Sequence, residues 1–343
     1  MTAKQIILES PVLETVLYDE SILLLDKQGH IKIFSTDKEE VDEDVYRIKI
    51  INDKINPTMY VYEKKLIVLT ETLLSITNSP HQDNFFSYKT QGKLDPSLSC
   101  ITDRFIFFIE TFKNKTAIIS LDLISNEISK TYVDSCRLIQ CLDNGIALIN
   151  INHPLKLSIT RKNVVNSIDL EDQTQFLDFF EKPGKNKIDR LLFNKERGEL
   201  LSGMLAWYLL LVDINSSKIK WVLKLTERVL GVSFFHQRYL YHCTMNSIYQ
   251  IDPEIGIIIS KQDLPLTKWI KKSGTLKLID KTDKFFLLQN TGSGECFKIE
   301  LETLQVDDVV STNSEFSINS RVIKTNSGYF MVDYNFRFFK VTI

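Results

Sequence analysis

At 343 residues, with 43% hydrophobic and 25% charged side chains, the chain can bury a sizeable core, as two or three ordinary domains or as one large all-β barrel or propeller. A net charge of −2 and a pI near 6.3 exclude a protein that grips nucleic acid or an anionic membrane through its overall charge. The longest unbroken apolar run, Met204–Val212, is far short of the roughly 18–20 residues of a membrane helix. Three apolar residues stand together before Glu9, against the roughly 7–15 of a secretory leader, so no export is expected.

Taken in order, short apolar runs bounded by turn residues dominate, which is the signal of strands. They fall into groups of four. The first group is Val12–Tyr18, Ser21–Lys27, His30–Thr36 and Val45–Ile51. The second runs from Met59–Glu63 to Phe85–Lys89, the third from Leu98–Asp103 to Ile128–Val133, and the fourth from Cys136–Asp143 to Val165–Leu170. After an insertion, Arg190–Phe193, Glu199–Met204, Tyr208–Asp213 and Ile219–Leu225 form the fifth. The sixth runs from Val229–His236 to Ile257–Gln262 and the seventh from Leu276–Lys281 to Leu304–Val310. The last group has three strands, Arg321–Lys324, Tyr329–Tyr334 and Arg337–Thr342, and Gln5–Glu9 at the N-terminus can supply its fourth.

The spacing of roughly 44 residues is that of four-stranded propeller blades. Third strands such as Tyr208–Asp213 are apolar on both faces, as strands sandwiched between neighbouring sheets should be. Fourth strands alternate: Ile219, Trp221, Leu223 and Leu225 are interleaved with Lys218, Lys220 and Lys224, as suits an outermost strand with one wet face. The expectation is an all-β chain, a single β-propeller domain over 1–343. Eight blades are preferred, with seven as the alternative, and the N-terminal strand closes the ring by joining the C-terminal blade. A two-domain β-sandwich is the competing fold.

With only 12 glycines, roughly half of average usage, turns must come largely from Asn, Asp, Ser and Lys. The five cysteines, Cys100, Cys136, Cys141, Cys243 and Cys296, are odd in number, have no CxxC spacing and sit among strand-like neighbours. Buried free thiols in a cytoplasmic protein are therefore expected.

Leu211-x-Asp213-x-x-Ser216-Ser217-Lys218-x-x-Trp221 resembles the docking motif of pyrroloquinoline-quinone-type propeller repeats, Ala-x-Asp-x-x-Thr-Gly-Lys-x-x-Trp. The resemblance implies that the Asp stabilises the turn and that the Trp packs between adjacent blades. Asp122, Asp252 and Glu300 hold the Asp position in other groups, without a Trp at the matching distance. The cofactor is not implied: the family's enzymes use adjacent cysteines and an acidic calcium site, and this chain has no adjacent cysteines. The likeness extends to WD40-like propellers only as a superfamily, since the Trp-Asp dipeptide of WD40 repeats is missing.

Chemistry-bearing patterns are few. Among the five histidines, His236 and His242 lie near one another and could meet across a hairpin beside Cys243, but a zinc site would need further ligands. There is no G-x-S-x-G elbow, and Gly292-Ser293-Gly294 reads as a hairpin turn, not a phosphate loop. No cofactor, metal or catalytic residue is assigned.

Three segments depart from the repeat. Asp37–Asp44, six acids against one lysine, should lie on a blade rim, either guarding an edge or docking a basic partner. Residues 172–184 form the best helical candidate, with Phe176, Phe179 and Phe180 on one face and Pro183-Gly184 as its stop. Leu264–Gly274 places Trp269 among Lys268, Lys271 and Lys272, a hot-spot composition. Phe176, Phe179, Phe180, Trp269, Lys271 and Lys272 are accordingly the candidate partner-binding residues.

The function expected is a non-enzymatic protein–protein interaction module (a scaffold, an assembly factor or an immunity-type inhibitor) working through propeller faces and rim inserts. The partner is another protein, without membrane insertion or a small-molecule cofactor. A hydrolase or lyase with carboxylates converging in a central channel is the alternative. Single-stranded nucleic-acid binding through the basic segments is a weaker third reading.

Overall fold

The computed structural model describes residues 1–47, 57–78, 84–113, 115–133, 136, 138–142, 145–149, 156–161, 164–169, 188–194, 199–204, 207–227, 231–244, 246–264, 275–316 and 321–343. Their regular structure consists of strands, gathered into eight four-stranded sheets. Sheet 1 is Val12–Tyr18, Ser21–Asp26, His30–Ser35 and Glu40–Arg47, and sheet 2 is Thr58–Tyr62, Lys65–Leu69, Leu73–Thr77 and Asn84–Lys89. Sheets 3 to 6 begin at Lys93, Leu138, Ile188 and Gly231, sheet 7 at Leu276 and sheet 8 at Val322. Each is a meander in chain order, except that Thr2–Ile6 pairs antiparallel with Phe338–Thr342 to complete sheet 8. The strand grouping and the role of the N-terminal strand are as the sequence led us to expect.

Two compact units divide the chain. One comprises Met1–Lys89, Met245–Ile248 and Gln262–Ile343, and carries sheets 1, 2, 7 and 8. The other comprises Thr90–Thr244 and Tyr249–Lys261, and carries sheets 3, 4, 5 and most of sheet 6. Within the first unit, the first strand of sheet 1 lies against the first strands of sheets 2 and 8. Within the second, the first strands of sheets 3 to 6 follow one another in the same way. First strands are therefore inner, and fourth strands outer.

The core is divided into slabs between neighbouring sheets. Leu23, Leu25 and Ile31 of sheet 1 pack on Met59, Leu66 and Val68 of sheet 2. The other face of sheet 1 gives Ile22, Leu24 and Phe34 to Phe330 and Phe338 of sheet 8. Phe34 meets both rings edge-on, at 5.8 and 5.2 Å between centroids, a favoured aromatic geometry. This is why second and third strands read as continuous apolar runs: both faces are inside.

Asp37–Asp44 corrects one boundary. Its first residues make a turn, but the outer strand of sheet 1 begins at Glu40 and ends at Arg47, five residues ahead of the expected Val45 start. Two bulges accommodate it, between Ile31 and Lys32 and between Ile33 and Phe34. An outermost strand tolerates acids because one face and one edge are wet, and such charge protects the edge from further pairing. The alternation rule also fails on the outer strand of sheet 6, where Ile257, Ile258 and Ile259 are all exposed.

The cysteines meet the expectation of buried free thiols at three positions and depart from it at one. Cys136, Cys243 and Cys296 are free and buried, and burial pushes the Cys296 thiol up to about 12. Cys100 is disulfide-bonded. The helical candidate at 172–184 lies outside the described residues.

Candidate functional site

Turn chemistry supplies the frame on which any site is built. Asp26, Asp122, Asp213 and Asp252 each end a strand and Asp333 directly follows one, and each accepts a hydrogen bond at Oδ1 from the amide two residues on, at 2.8–2.9 Å. In three of the turns between third and fourth strands, the fifth residue takes a left-handed conformation: Asn126 (φ 59°), Ser217 (φ 56°) and Gly256 (φ 70°). Ser217 thus adopts the backbone that the resembled motif reserves for glycine, at a cost of about 1–2 kcal/mol. Glu300 differs: its carboxylate takes the Thr303 hydroxyl at 2.8 Å, and Leu304 is left-handed (φ 56°).

Trp221 does what the motif implies. Its indole is 6% exposed, donates to the Pro253 carbonyl at 2.8 Å, and belongs to one apolar cluster with Leu209 and Leu211 of sheet 5 and Leu240, Tyr249 and Ile251 of sheet 6. A Cβ on Gly256 would come within 2.6 Å of the indole ring, so the turn of sheet 6 and the Trp of sheet 5 are fitted to each other. The nearby histidines are structural. His242 is wholly buried, with Nδ1 2.7 Å from the Ser233 hydroxyl directly across the hairpin, while His236 stands opposite Tyr239. The register keeps the two apart, and among the described residues no group of three His, Cys, Asp or Glu side chains gathers as a metal site would.

The candidate partner residues Phe176, Phe179, Phe180, Trp269, Lys271 and Lys272 lie outside the described residues. Within the first unit, two other constellations stand out.

The first is a groove of about 490 Å³ between sheets 8 and 1. The segment Ile7–Ser10, which carries the chain from the outer strand of sheet 8 to the inner strand of sheet 1, forms one side, and Glu39–Val41 forms the other. Glu9, Asp26, Glu39 and Glu40 line it against a single ammonium, Lys32. Glu39 is fixed by Lys340 at 2.7 Å and Lys4 at 2.6 Å, which hold its carboxyl below the usual range. Asp26 is 2% exposed, and among the described residues its Oδ2 has no hydrogen bond, with His30 Nδ1 3.4 Å away. Ile7, 89% exposed, adds apolar surface at the rim. Sequence reading found the acids of Asp37–Asp44 as a possible basic-partner dock, but not the floor beneath them.

The second lies on inner strands. Glu14 of sheet 1 has its Oε1 3.7 Å from Nε of Arg321, at the entry to sheet 8, and accepts the Thr15 amide at 3.1 Å. The Arg321 guanidinium donates to the Met59 carbonyl and stacks 4.6 Å from the Tyr60 ring centroid, both in sheet 2. Lys277, on the first strand of sheet 7, brings a buried ammonium with no hydrogen-bond partner among the described residues. Burial pushes Lys277 down to about 8, against the pull of Glu14. Burial likewise raises Glu14, outweighing Arg321. Burial thus works against the ionised form of both Glu14 and Lys277. No sequence pattern links these residues, which come from distant parts of the chain.

Four-stranded meanders with inner first strands, wet outer strands and a shared terminal sheet define a β-propeller. The yeast protein Sqt1 from Saccharomyces cerevisiae superposes with a TM-score of 0.71 at 8% identity, over 100% of this chain and 99% of its own. The computationally designed protein Ika8 matches with a TM-score of 0.71 at 10% identity, over 97% of each chain. The β-propeller domain of Cps50 (Swd1) from Myceliophteria thermophila matches at 0.54 with 9% identity, over 99% of each. At these identities the likeness shows the fold alone. No protein-family profile and no curated protein sequence matches the chain.

Proposed function

We propose that this chain is a non-enzymatic protein-binding propeller, working as a scaffold, assembly factor or inhibitor, and that the groove between sheets 8 and 1 receives an extended basic and apolar segment of its partner. The observation that carries this reading is the groove itself: Glu9, Asp26 and Glu40 line it beside Lys32 and exposed aliphatic surface, with Glu39 already held by Lys4 and Lys340, and the Asp26 Oδ2 has no hydrogen bond among the described residues. Residues 1–343 are read as one propeller domain. The cytoplasmic location expected from the sequence is carried as a proposal, against which the Cys100 disulfide stands, since such bonds are rare where thiols are kept reduced.

The channel-centred hydrolase is less well supported. Glu14 meets cations rather than a second carboxylate, and Asp280, on the first strand of sheet 7, is engaged by Lys324 at 2.7 Å and the Tyr329 hydroxyl at 2.6 Å.

Fluorescence anisotropy with a labelled peptide of alternating Lys and Leu tests the groove, with a Glu–Leu peptide as control. The basic peptide should bind and the acidic one should not. Glu9→Lys combined with Glu40→Lys, both exposed, should weaken binding at least about tenfold, or 1.4 kcal/mol. Unchanged affinity in the double variant would remove the groove from the reading.

A further inference from the structure

One outer strand departs from the way the others protect themselves. Outer strands elsewhere place charge within the strand: Lys130 in sheet 3, Lys218, Lys220 and Lys224 in sheet 5, Asp307 and Asp308 in sheet 7. Such charge discourages a free edge from pairing with another chain. The outer strand of sheet 6, Ile257–Asp263, has none before Lys261. Ile257, Ile258 and Ile259 are 55%, 38% and 50% exposed, and Ile255 in the preceding turn is 61% exposed. The strand pairs on one side with Ser247–Asp252 and ends the sheet on the other. It also lacks the anchor of sheet 5: at the position of Trp221, eight residues past the turn aspartate, stands Ser260, which donates to Gln250 Oε1 at 2.9 Å.

We propose that this edge is an interface between two copies of the chain, joined antiparallel through Ile257–Ile259 about a twofold axis at Ile258. An antiparallel pair centred there sets Ile258 opposite itself and Ile257 opposite the partner's Ile259, so each isoleucine of the run meets another. A run of three identical residues is its own complement, as an isologous twofold contact requires. Charge agrees with this register. Glu254 lies beyond one end of the run and Lys261 beyond the other, so antiparallel pairing brings unlike ends together. Lys261 falls opposite the partner's Ile255 and next to the partner's Glu254, and no like charges face each other. Both keep their own contacts, Lys261 5.6 Å from the Tyr249 ring centroid and Glu254 3.0 Å from Lys220 Nζ, and so set the register without anchoring the pair. Pairing uses up both edges, and association stops at two. One strand pair covers less than the roughly 800 Å² per partner of a standard interface, which makes the dimer reversible.

Sedimentation velocity of the intact chain over a concentration series reads the interface. Monomer should pass to dimer with a micromolar dissociation constant, and growth should stop there. Ile258→Lys puts like charges opposite each other at the axis and should weaken the dimer at least about tenfold. Ile128→Lys, at a comparably exposed isoleucine (39%) on the outer strand of sheet 3, should leave it unchanged. Both variants should keep the wild-type melting curve by circular dichroism, since both side chains already stand partly in water. Ile258→Cys reads the geometry separately: across the axis its Cα atoms would stand about 4.5–5.5 Å apart, within disulfide reach. Mild oxidation should link that variant into a covalent dimer and leave Ile128→Cys monomeric. Oligomers that grow past two, or a dimer indifferent to Ile258→Lys, would overturn the proposal. So would a chain that stays monomeric throughout, which would leave the edge to a strand of another protein.

Discussion

Two secluded glutamates, Glu110 and Glu14, have met opposite fates. Glu110, in the second strand of sheet 3, is wholly buried. Burial by itself would raise its carboxyl, yet the Lys130 ammonium at 2.7 Å and the amides of Gly92 and Gln91 at 3.0 and 2.6 Å hold it below the usual range. Glu14 has one amide at 3.1 Å and a guanidinium nitrogen at 3.7 Å, and there burial wins and its carboxyl is raised. Residue type and seclusion do not decide whether a buried acid is stably ionised. The number and closeness of its donors do. Glu110 completes its own hydrogen-bonding within the fold, whereas the Glu14 cluster is left with a cation to satisfy.

The sharpest way to break this contrast is to remove the satisfied acid. Glu110→Ala strands two amides and Lys130 and should cost on the order of 3–5 kcal/mol at neutral pH, read by urea unfolding. Because the folded Glu110 titrates below its ordinary value of 4.5, its contribution is complete above that value and lost as pH falls through the folded one. The gap between wild type and Glu110→Gln should therefore close in acid. A gap that stays constant down to low pH would mean that the carboxylate charge is not what the network uses.

Lys277→Met should act in the opposite direction. The folded Lys277 titrates near 8 against an ordinary 10.5, so its ammonium weighs against the fold in full below pH 8, and the penalty is relieved between 8 and 10.5. The variant should be more stable than wild type by on the order of 1–3 kcal/mol at pH 7, with the advantage fading by pH 10.5. A less stable variant at pH 7 would show that the ammonium is satisfied after all.

The smallest effect is expected of Glu14→Gln. With its folded carboxyl raised, the ionised form is disfavoured by folding, and wild type loses stability as pH rises from 4.5 through the folded value. The amide isostere should lie within about 1 kcal/mol of wild type at pH 7 and gain on it across that window. A cost comparable with that of Glu110→Ala would erase the distinction between the two acids.

Much of the architecture was legible because it is written in local patterns. Continuous apolar runs such as Leu209–Leu210–Leu211–Val212 announce strands buried on both faces. The Asp213-to-Trp221 spacing announces a turn and an intersheet anchor, and both are found. The scarcity of glycine correctly pointed to turns made by Asn126 and Ser217, whose left-handed backbones are held by neighbouring Asp side chains. The outer strand beginning at Glu40 was missed because acids argue against a strand unless one knows that its edge is wet. The Cys100 disulfide was missed because an odd count without CxxC spacing is no guide to which cysteines meet in space.

The strand groups, their meander order and the Trp221 anchor were thus determined by sequence alone, since each depends on residues within one or two hairpins. Which charges would face one another was decided only by the tertiary structure. Glu110 hides in the apolar run Phe105–Phe112, and nothing in that run foretells Lys130 or the amides before Lys93. Glu14 and Arg321 come from opposite ends of the chain, and they meet because the first strands of sheets 1 and 8 lie against each other. An ionised group's state is set by donors within a few ångströms, and that neighbourhood exists only once the sheets have packed.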